Sequence, residues 1–184
     1  MIELISGGAA SGKSEFAEQE VLSLNKDRYY LATMDGTDPS GADRIRKHRD
    51  RRSGMGFVTI ERSVDISGIK EDTEGSVILL EDLTNLAANE FFPKDAPLPP
   101  GDVPLLFDLA QKTADRILGD FDALYERCED IIVVTQDVFR DCQYNTYTDT
   151  VKAYIRLLSL LNIGIGRRSD RIFEVVYSAK KRIR

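Results

Sequence analysis

Short apolar runs along the chain alternate with longer stretches in which apolar side chains recur every three or four residues. This pattern predicts strands alternating with helices. The strands are expected at residues 2–6, 28–33, 57–61, 76–80, 131–135 and 172–177. The helices are expected at residues 13–25, 42–53, 63–70, 82–92, 105–127 and 148–163. Strands that are apolar on successive residues are typical of parallel sheets covered on both faces. We therefore expect one α/β domain over residues 1–184, with three layers and a mainly parallel sheet.

Two segments interrupt this alternation. Five prolines fall between residues 93 and 104, where neither a helix nor a central strand is expected, so the segment is interpreted as a surface loop. The basic stretch at residues 180–184 is expected to be solvated rather than to bind nucleic acid.

Composition limits the classes of protein to which the chain can belong. Of the 184 residues, 42% are apolar and 30% are charged, as in soluble globular proteins. The longest purely aliphatic runs, at 77–80 and 131–134, are far shorter than the roughly 20 residues of a membrane-spanning helix. Two cysteines, Cys128 and Cys142, do not make a disulfide framework. These features favour a cytoplasmic protein without a membrane span.

Charge is unevenly distributed. The net charge is −6, yet residues 43–52 contain six basic residues against two acidic ones. A general nucleic-acid-binding protein has a broader basic surface, so this class is not favoured. One basic segment in an acidic protein is better suited to a compact anionic ligand.

The segment after the first predicted strand matches the phosphate-binding pattern G-x-x-x-x-G-K-[ST]. Its residues are Gly7, Gly8, Ala9, Ala10, Ser11, Gly12, Lys13 and Ser14. The glycines let backbone N–H groups surround phosphates at the start of the following helix. Lys13 is expected to contact the β- and γ-phosphates, and the Ser14 hydroxyl is expected to be a ligand of Mg²⁺. The domain is therefore expected to be P-loop NTPase-like.

Two carboxylates, Glu81 and Asp82, follow the buried strand at 76–80. Open α/β sheets bind ligands at the carboxyl ends of their strands, so Glu81 is predicted to contact the metal or the nucleotide. Asp82 is predicted to cap the next helix instead.

His48, the only histidine, lies within the basic segment. On a helix, Arg44, Arg51 and Arg52 share its face. Positive charge nearby disfavours the imidazolium, so a neutral imidazole able to attack phosphorus is expected. On composition alone, an exposed histidine on a solvated basic face is the simpler interpretation.

Four segments together resemble one family, the bifunctional adenosylcobinamide kinases and adenosylcobinamide-phosphate guanylyltransferases of cobalamin biosynthesis. They are the loop at 7–14, Tyr-Leu-Ala-Thr at 30–33, Arg-Ile-x-x-His-Arg-Asp-x-Arg at 44–52 and Ile-Leu-Leu-Glu at 78–81. The resemblance is good over about the first 92 residues and collinear thereafter. It implies phosphorylation of the aminopropanol hydroxyl of adenosylcobinamide, followed by transfer of GMP from GTP through a guanylylated histidine.

The resemblance also assigns residues. His48 falls on the family's nucleophile, and Lys13 and the rest of the loop at 7–14 fall on GTP-contacting positions. The further GTP-contacting positions are Ala32, Thr33, Met34, Arg49, Asp50, Arg51, Arg52, Glu61 and Glu81. It further implies Mg²⁺, held by Ser14 and Glu81, with GTP and ATP as substrates and a corrinoid as acceptor. The family forms homo-oligomers that have been described as trimers. The resemblance therefore implies a homo-oligomer, with a trimer as the expected form.

The chain departs from the family pattern in three places, one of which is the proline-rich loop at 93–104. Residues 136–141 read Gln-Asp-Val-Phe-Arg-Asp, where the family has Asn-Glu-Val-Gly followed by a further glycine and a proline. Residues 176–178 read Val-Tyr-Ser in place of Val-Ser-Gly. Three interpretations are therefore carried forward: the bifunctional enzyme, a kinase without guanylyl transfer or with another acceptor, and a nucleotide-binding regulator.

Overall fold

The computed structural model of the protein describes residues 1–34, 52, 54–93, 95, 102–138 and 146–184. Its strands are β1 (Ile2–Gly7), β2 (Arg28–Ala32), β3 (Phe57–Glu61), β4 (Val77–Glu81), β5 (Asp130–Gln136), β6 (Arg171–Val176) and β7 (Ala179–Arg182). The helices of the described part are α1 (Lys13–Ser23), α2 (Leu83–Phe91), α3 (Val103–Tyr125) and α4 (Asp149–Arg168), with a 3₁₀ turn at Ile66–Gly68.

The strands form one sheet in the order β3-β2-β4-β5-β1-β6-β7. All neighbouring strands are parallel except β6 and β7, which are antiparallel. The carboxyl ends of the parallel strands therefore share one edge. There Ala32 pairs with Glu61 on one side and with Glu81 on the other, so three predicted site residues lie side by side.

Helices cover both faces of the sheet, which confirms the predicted three-layer α/β fold with a mainly parallel sheet. On one face, α1 packs Phe16, Ala17 and Val21 against the strands. On the other face, α2, α3 and α4 form the larger cluster. The five residues of β4 are all buried, because this central strand is covered on both sides. No helix among the described residues is both long and apolar enough to span a bilayer.

Helix boundaries agree with the sequence prediction at Asp82 and correct it elsewhere. The Asp82 carboxylate accepts a hydrogen bond from the Asn85 N–H at 2.6 Å, which confirms its predicted capping role. The sequence pattern places Pro104 in the loop, but it lies in the first turn of α3, where a proline N–H is not needed. The helix predicted at 63–70 is only the 3₁₀ turn. Helix α4 continues five residues beyond 163, because Gly164 and Ile165 are buried in its contact with the core.

The side chains of residues 180–184 are exposed, as expected of a solvated stretch, but the sequence does not predict a strand there. Residues 179–182, which overlap the stretch expected to be solvated, form β7 and pair with β6 at the edge of the sheet. All four β7 side chains are exposed, so no apolar alternation marks the strand. Lysine and arginine side chains are common on edge strands, where charge prevents pairing with another chain.

Candidate nucleotide site

The loop between β1 and α1 has the backbone of a phosphate-binding loop. Ala10 and Gly12 have positive φ angles of 54° and 92°. Gly8 accepts a hydrogen bond from the Ser11 N–H at 3.3 Å, and Gly12 accepts the first helical one, from Phe16, at 3.0 Å. A side chain at Gly7 is excluded as well, since an added Cβ would lie 2.5 Å from Ser11 Oγ. The loop therefore turns back over the start of α1, the arrangement in which backbone N–H groups at a helix N-terminus can surround an anion.

The two residues that begin α1 point in different directions. Lys13 is buried, and its ammonium group donates a hydrogen bond to the Gly8 carbonyl oxygen at 3.2 Å, across the loop. The Ser14 hydroxyl instead donates a hydrogen bond to Glu81 Oε1 at the end of β4. Positive charge thus lies inside the loop, and a hydroxyl–carboxylate pair lies at the side that faces β4.

Glu81 is a buried acid whose pKa is raised by its surroundings. Burial raises its pKa above the usual range, and the Ser14 hydrogen bond and the charge of Arg52 oppose that rise. Its second oxygen, Oε2, is buried and accepts no hydrogen bond within the described chain. A buried carboxylate with an unused oxygen favours a nearby cation. The pair of Ser14 and Glu81 therefore fits Mg²⁺, which prefers oxygen ligands and commonly completes its shell with phosphates and waters.

Arg52 stacks on an aromatic ring beside Glu81. Its guanidinium carbon lies 3.1 Å from the centre of the Tyr30 ring, and its side chain is buried. Its Nε and Nη1 atoms donate no hydrogen bond to any described residue. Burial and the Glu81 charge raise the pKa of Tyr30, so the tyrosine stays neutral beneath the arginine. A buried guanidinium with free N–H groups suits a phosphate.

The segment after β2 is held in place by hydrogen bonds within the protein. Thr33 is fully buried, and its hydroxyl donates a hydrogen bond to the Asp82 carbonyl oxygen at 2.7 Å. Asn89 in α2 donates hydrogen bonds to the carbonyl oxygens of Thr33 and Ser63, at 2.8 and 3.1 Å. Ala32 and Met34 are half-buried beside them. This network fixes the ends of β2, β3 and β4 relative to one another.

Glu61 ends β3 and is exposed, in register with Ala32 and two strands away from Glu81. Four predicted site residues, His48, Arg49, Asp50 and Arg51, lie outside the described residues. So do residues 139–141 of the divergent loop, although the Asp137 N–H at its start donates a hydrogen bond to the Gly7 carbonyl oxygen at 3.1 Å.

Sequence patterns do not identify Asn89 as part of this region, and the Tyr-Leu-Ala-Thr segment at 30–33 does not show what the Tyr30 side chain contacts. Their roles depend on contacts between residues distant in sequence, such as Tyr30 with Arg52. The spacing of residues carries no signal for such contacts. No group of three or more His, Cys, Asp or Glu side chains able to bind a metal occurs in the part of the chain that the structure describes.

The comparisons with known proteins identify the family of the chain. A family model described as CobU, cobinamide kinase / cobinamide phosphate guanyltransferase, matches residues 3–182. The chain belongs to this family. The CobU family consists of enzymes of cobalamin biosynthesis, and the chain is accordingly a transferase with cobinamide kinase and cobinamide-phosphate guanylyltransferase function. The family recognised from its motifs is thereby confirmed over nearly the whole chain.

Solved structures with a similar layout are more distant. The flagellar accessory protein FlaH from Methanocaldococcus jannaschii is 12% identical, with a TM-score of 0.45, over 100% of this chain and 77% of that one. The RadB recombinase is 15% identical, with a TM-score of 0.42, over 94% of this chain and 73% of that one. No curated protein matches the sequence.

Proposed function

We propose that the chain phosphorylates the aminopropanol hydroxyl of adenosylcobinamide and then transfers GMP from GTP to that phosphate through a guanylylated His48. The observation that carries the proposal is the hydrogen-bonded pair of Ser14 and Glu81 beside the phosphate-binding loop. These residues are 67 positions apart in sequence. The sheet brings them together where the γ-phosphate of a nucleotide bound to the loop would lie.

In the kinase step, the chain's own groups bind the triphosphate and stabilise its charge. Backbone N–H groups of residues 8–14 bind the phosphates, and the Lys13 ammonium group offsets the charge of the transferring phosphoryl group. Ser14 and Glu81 would hold Mg²⁺, which supplies charge neutralisation at the β- and γ-phosphates when bound. Glu81 accepts the hydrogen bond from the Ser14 hydroxyl and so orients that hydroxyl. Arg52, with its two free N–H positions, is suited to bind a phosphate oxygen on the β2 side of the site.

In the guanylyl transfer step, the proposed nucleophile is an imidazole nitrogen of His48. It forms a bond to the α-phosphorus of GTP while the bond to the bridging oxygen breaks and pyrophosphate leaves. An oxygen of the corrinoid phosphate then attacks the same phosphorus and releases the histidine. Arg49, Asp50 and Arg51 are proposed to bind the GTP in this step together with Arg52 and Glu61, as the family resemblance implies.

A cavity beside the ends of β2 and β3 is a candidate binding site for part of the corrinoid acceptor. Its volume is about 570 Å³, and its lining includes Ser63, Val64, Asn89, Glu90, Phe92 and Arg116. Asn89 links the cavity to Thr33 and therefore to the nucleotide side of the sheet. Exposed apolar groups together with an ion pair between Arg116 and Glu90 suit a large molecule with both apolar and amide groups.

The assembly and the compartment belong to the same proposal. We propose a homo-oligomer, a trimer as in the resembling family, that acts in the cytoplasm with ATP and GTP as its nucleotide substrates.

Product analysis tests the proposed function. The protein is incubated with adenosylcobinamide, ATP, GTP and Mg²⁺, and the corrinoids are separated. We expect the phosphorylated corrinoid to appear and then to be converted into the GDP-linked product. A phosphorylated corrinoid that is never converted would favour the kinase without guanylyl transfer, and no corrinoid product would contradict both.

One substitution tests the role assigned to Glu81. Glu81→Gln removes the carboxylate that would support the metal, so about 10- to 100-fold weaker activation by Mg²⁺ is expected in the kinase step. Glu3→Gln is the matched control, because Glu3 is also buried but lies at the other end of β1 from the loop. An unchanged Mg²⁺ dependence in Glu81→Gln would contradict the assigned role.

A further inference from the structure

The turn between β6 and β7 has an unusual backbone for its residues. Tyr177 and Ser178 form a two-residue connection, since Val176 pairs directly with Ala179. Their φ angles are 49° and 61°. Hairpin turns with two positive φ angles strongly prefer asparagine, aspartate or glycine, which adopt this conformation with little strain. A tyrosine and a serine here indicate that something other than turn preference selects these side chains.

This turn is attached to the phosphate-binding loop. The Ser178 N–H donates a hydrogen bond to the Ser11 carbonyl oxygen at 2.8 Å. The approach is so close that an added Cβ at Gly12 would lie 2.9 Å from Ser178 Oγ. The position of the turn is therefore fixed relative to the loop that would hold the phosphates.

Tyr177 projects from this fixed turn into solvent. Its side chain is 95% exposed, more than any other large hydrophobic residue of the described chain. The described rings of Phe16, Tyr30 and Tyr154, by contrast, each pack against another ring. An aromatic ring held in the open next to a phosphate-binding loop is a surface on which a nucleobase can stack.

A triphosphate bound to the loop with its γ-phosphate next to Glu81 would have its nucleoside on the side of Tyr177. Ser14 and Glu81 mark the metal and γ-phosphate end, which lies on the β4 side of β1. The nucleoside must then leave the loop on the other side. In the sheet order β4-β5-β1-β6-β7, that other side is the one occupied by β6, β7 and the turn.

We propose that the Tyr177 ring stacks on the purine base of the nucleoside triphosphate when its γ-phosphate lies next to Glu81, the orientation needed for the kinase step. The proposal rests on the proposed function and identifies how that site binds the nucleoside end of its phosphate donor. Every base has a face on which an aromatic ring can stack, so ATP and GTP are both accepted in this orientation.

A fluorescent variant tests the contact directly. The chain contains no tryptophan, so Tyr177→Trp introduces a single reporter at the turn. We expect ATP and GTP to change its fluorescence strongly, because a stacked purine quenches an indole. Inorganic tripolyphosphate, which has no base, is expected to bind with little change in fluorescence. An equal response to tripolyphosphate and to ATP would overturn the proposal.

Binding measurements on the natural side chain complete the test. Tyr177→Ala is expected to weaken ATP binding about fivefold or more and to leave tripolyphosphate binding unchanged. Tyr177→Phe retains the ring and the affinity. Ile183→Ala is the control, an exposed apolar residue just beyond β7, and is expected to bind ATP like the wild type.

The outcomes separate this inference from the proposed function. ATP binding by Tyr177→Ala equal to that of the wild type overturns the stacking proposal alone. A changed oligomeric state of Tyr177→Ala in sedimentation, with unchanged ATP affinity, also overturns it and assigns the ring to a subunit contact. A wild-type protein that binds neither ATP nor tripolyphosphate overturns the proposed function itself.

Discussion

Glu3 is a fully buried acid that the proposed chemistry does not use. It lies near the start of β1, and neither of its carboxylate oxygens accepts a hydrogen bond in the described part of the chain. Arg171 approaches its Oε2 atom to 3.6 Å and approaches Glu20 at the same distance. Burial and the charge of Glu20 raise the pKa of Glu3 from 4.5 to about 7, and Arg171 and Arg182 oppose that rise. Glu3 is therefore expected to make the stability of the fold depend on pH.

The sign of this dependence follows from the raised pKa. Below about pH 4.5, Glu3 is protonated in both the folded and the unfolded chain, and its contribution to stability is fully present. As the pH rises toward 7, the unfolded chain loses this proton more readily than the folded one. The free energy of unfolding is then expected to fall by about 3 kcal/mol.

Glu3→Gln is expected to remove this loss of stability. Glutamine cannot ionise, so the variant should become more stable than the wild type as the pH rises from 5 to 8. Urea unfolding of both proteins across that range measures the difference. If the two stability curves stay parallel, Glu3 is not the group responsible.

For individual residues, the sequence could predict local chemistry but not contacts between segments that the sheet brings together. The phosphate-binding loop follows from spacing, and the Asp82 cap follows from its place before an apolar helix. The prediction for Glu81 rests on its position at a strand end. The stacking of Arg52 on Tyr30 could not be predicted, because it depends on how two distant segments pack. The hydrogen bond from the Thr33 hydroxyl to the Asp82 carbonyl oxygen is a further contact between distant segments that the sequence could not predict.

Helices α3 and α4 pack closely through a glycine. A Cβ added to Gly164 in α4 would lie 2.6 and 2.7 Å from the two terminal methyl groups of Leu118 in α3. A Cβ at Gly166, two residues later in the same helix, would meet its nearest atoms only at 3.7 and 3.8 Å. The two glycines therefore differ in packing although they share a helix.

Alanine at these positions is expected to separate helix propensity from packing. Gly166→Ala should stabilise the protein by about 0.5–1 kcal/mol, because alanine favours the helix and fits the space. Gly164→Ala should be less stable than Gly166→Ala by about 1 kcal/mol or more, because Leu118 must move. Chemical denaturation measures both variants. A Leu118→Ala substitution should reduce the cost at Gly164, and equal stability of the two glycine variants would contradict the packing argument.

The elements that the sequence predicts well are those with a strong apolar pattern. The residues of β3 agree with the prediction, and β4 and β5 differ from it by one residue at each end. The errors occur where tertiary packing or strand pairing overrides the local sequence pattern. The glycines near the end of α4 predict that the helix ends there, but the helix continues because Ile165 is buried against the core. Strand β7 has no buried side chain, and only its pairing with β6 reveals it.

For the whole molecule, the sheet order accounts for the location of the nucleotide site. The loop after β1 and the acid at the end of β4 come from distant parts of the chain, yet parallel strands bring both to one edge. β6 and β7 then place Tyr177 on the opposite side of that loop. The fold class could be predicted from the alternation of strands and helices, whereas this strand order could not, because it depends on pairing between distant segments.

We propose that this site transfers two different parts of a nucleotide, and that the second transfer passes through His48. The most direct measurement uses GTP labelled at its α-phosphate, incubated with the protein and Mg²⁺ before denaturation. We expect an acid-labile label on the wild-type protein, released onto phosphorylated adenosylcobinamide when this acceptor is added before denaturation. We expect no label from γ-labelled GTP and none on His48→Ala. A wild-type protein that retains no α-label, or a His48→Ala variant labelled as strongly as the wild type, would contradict the proposal.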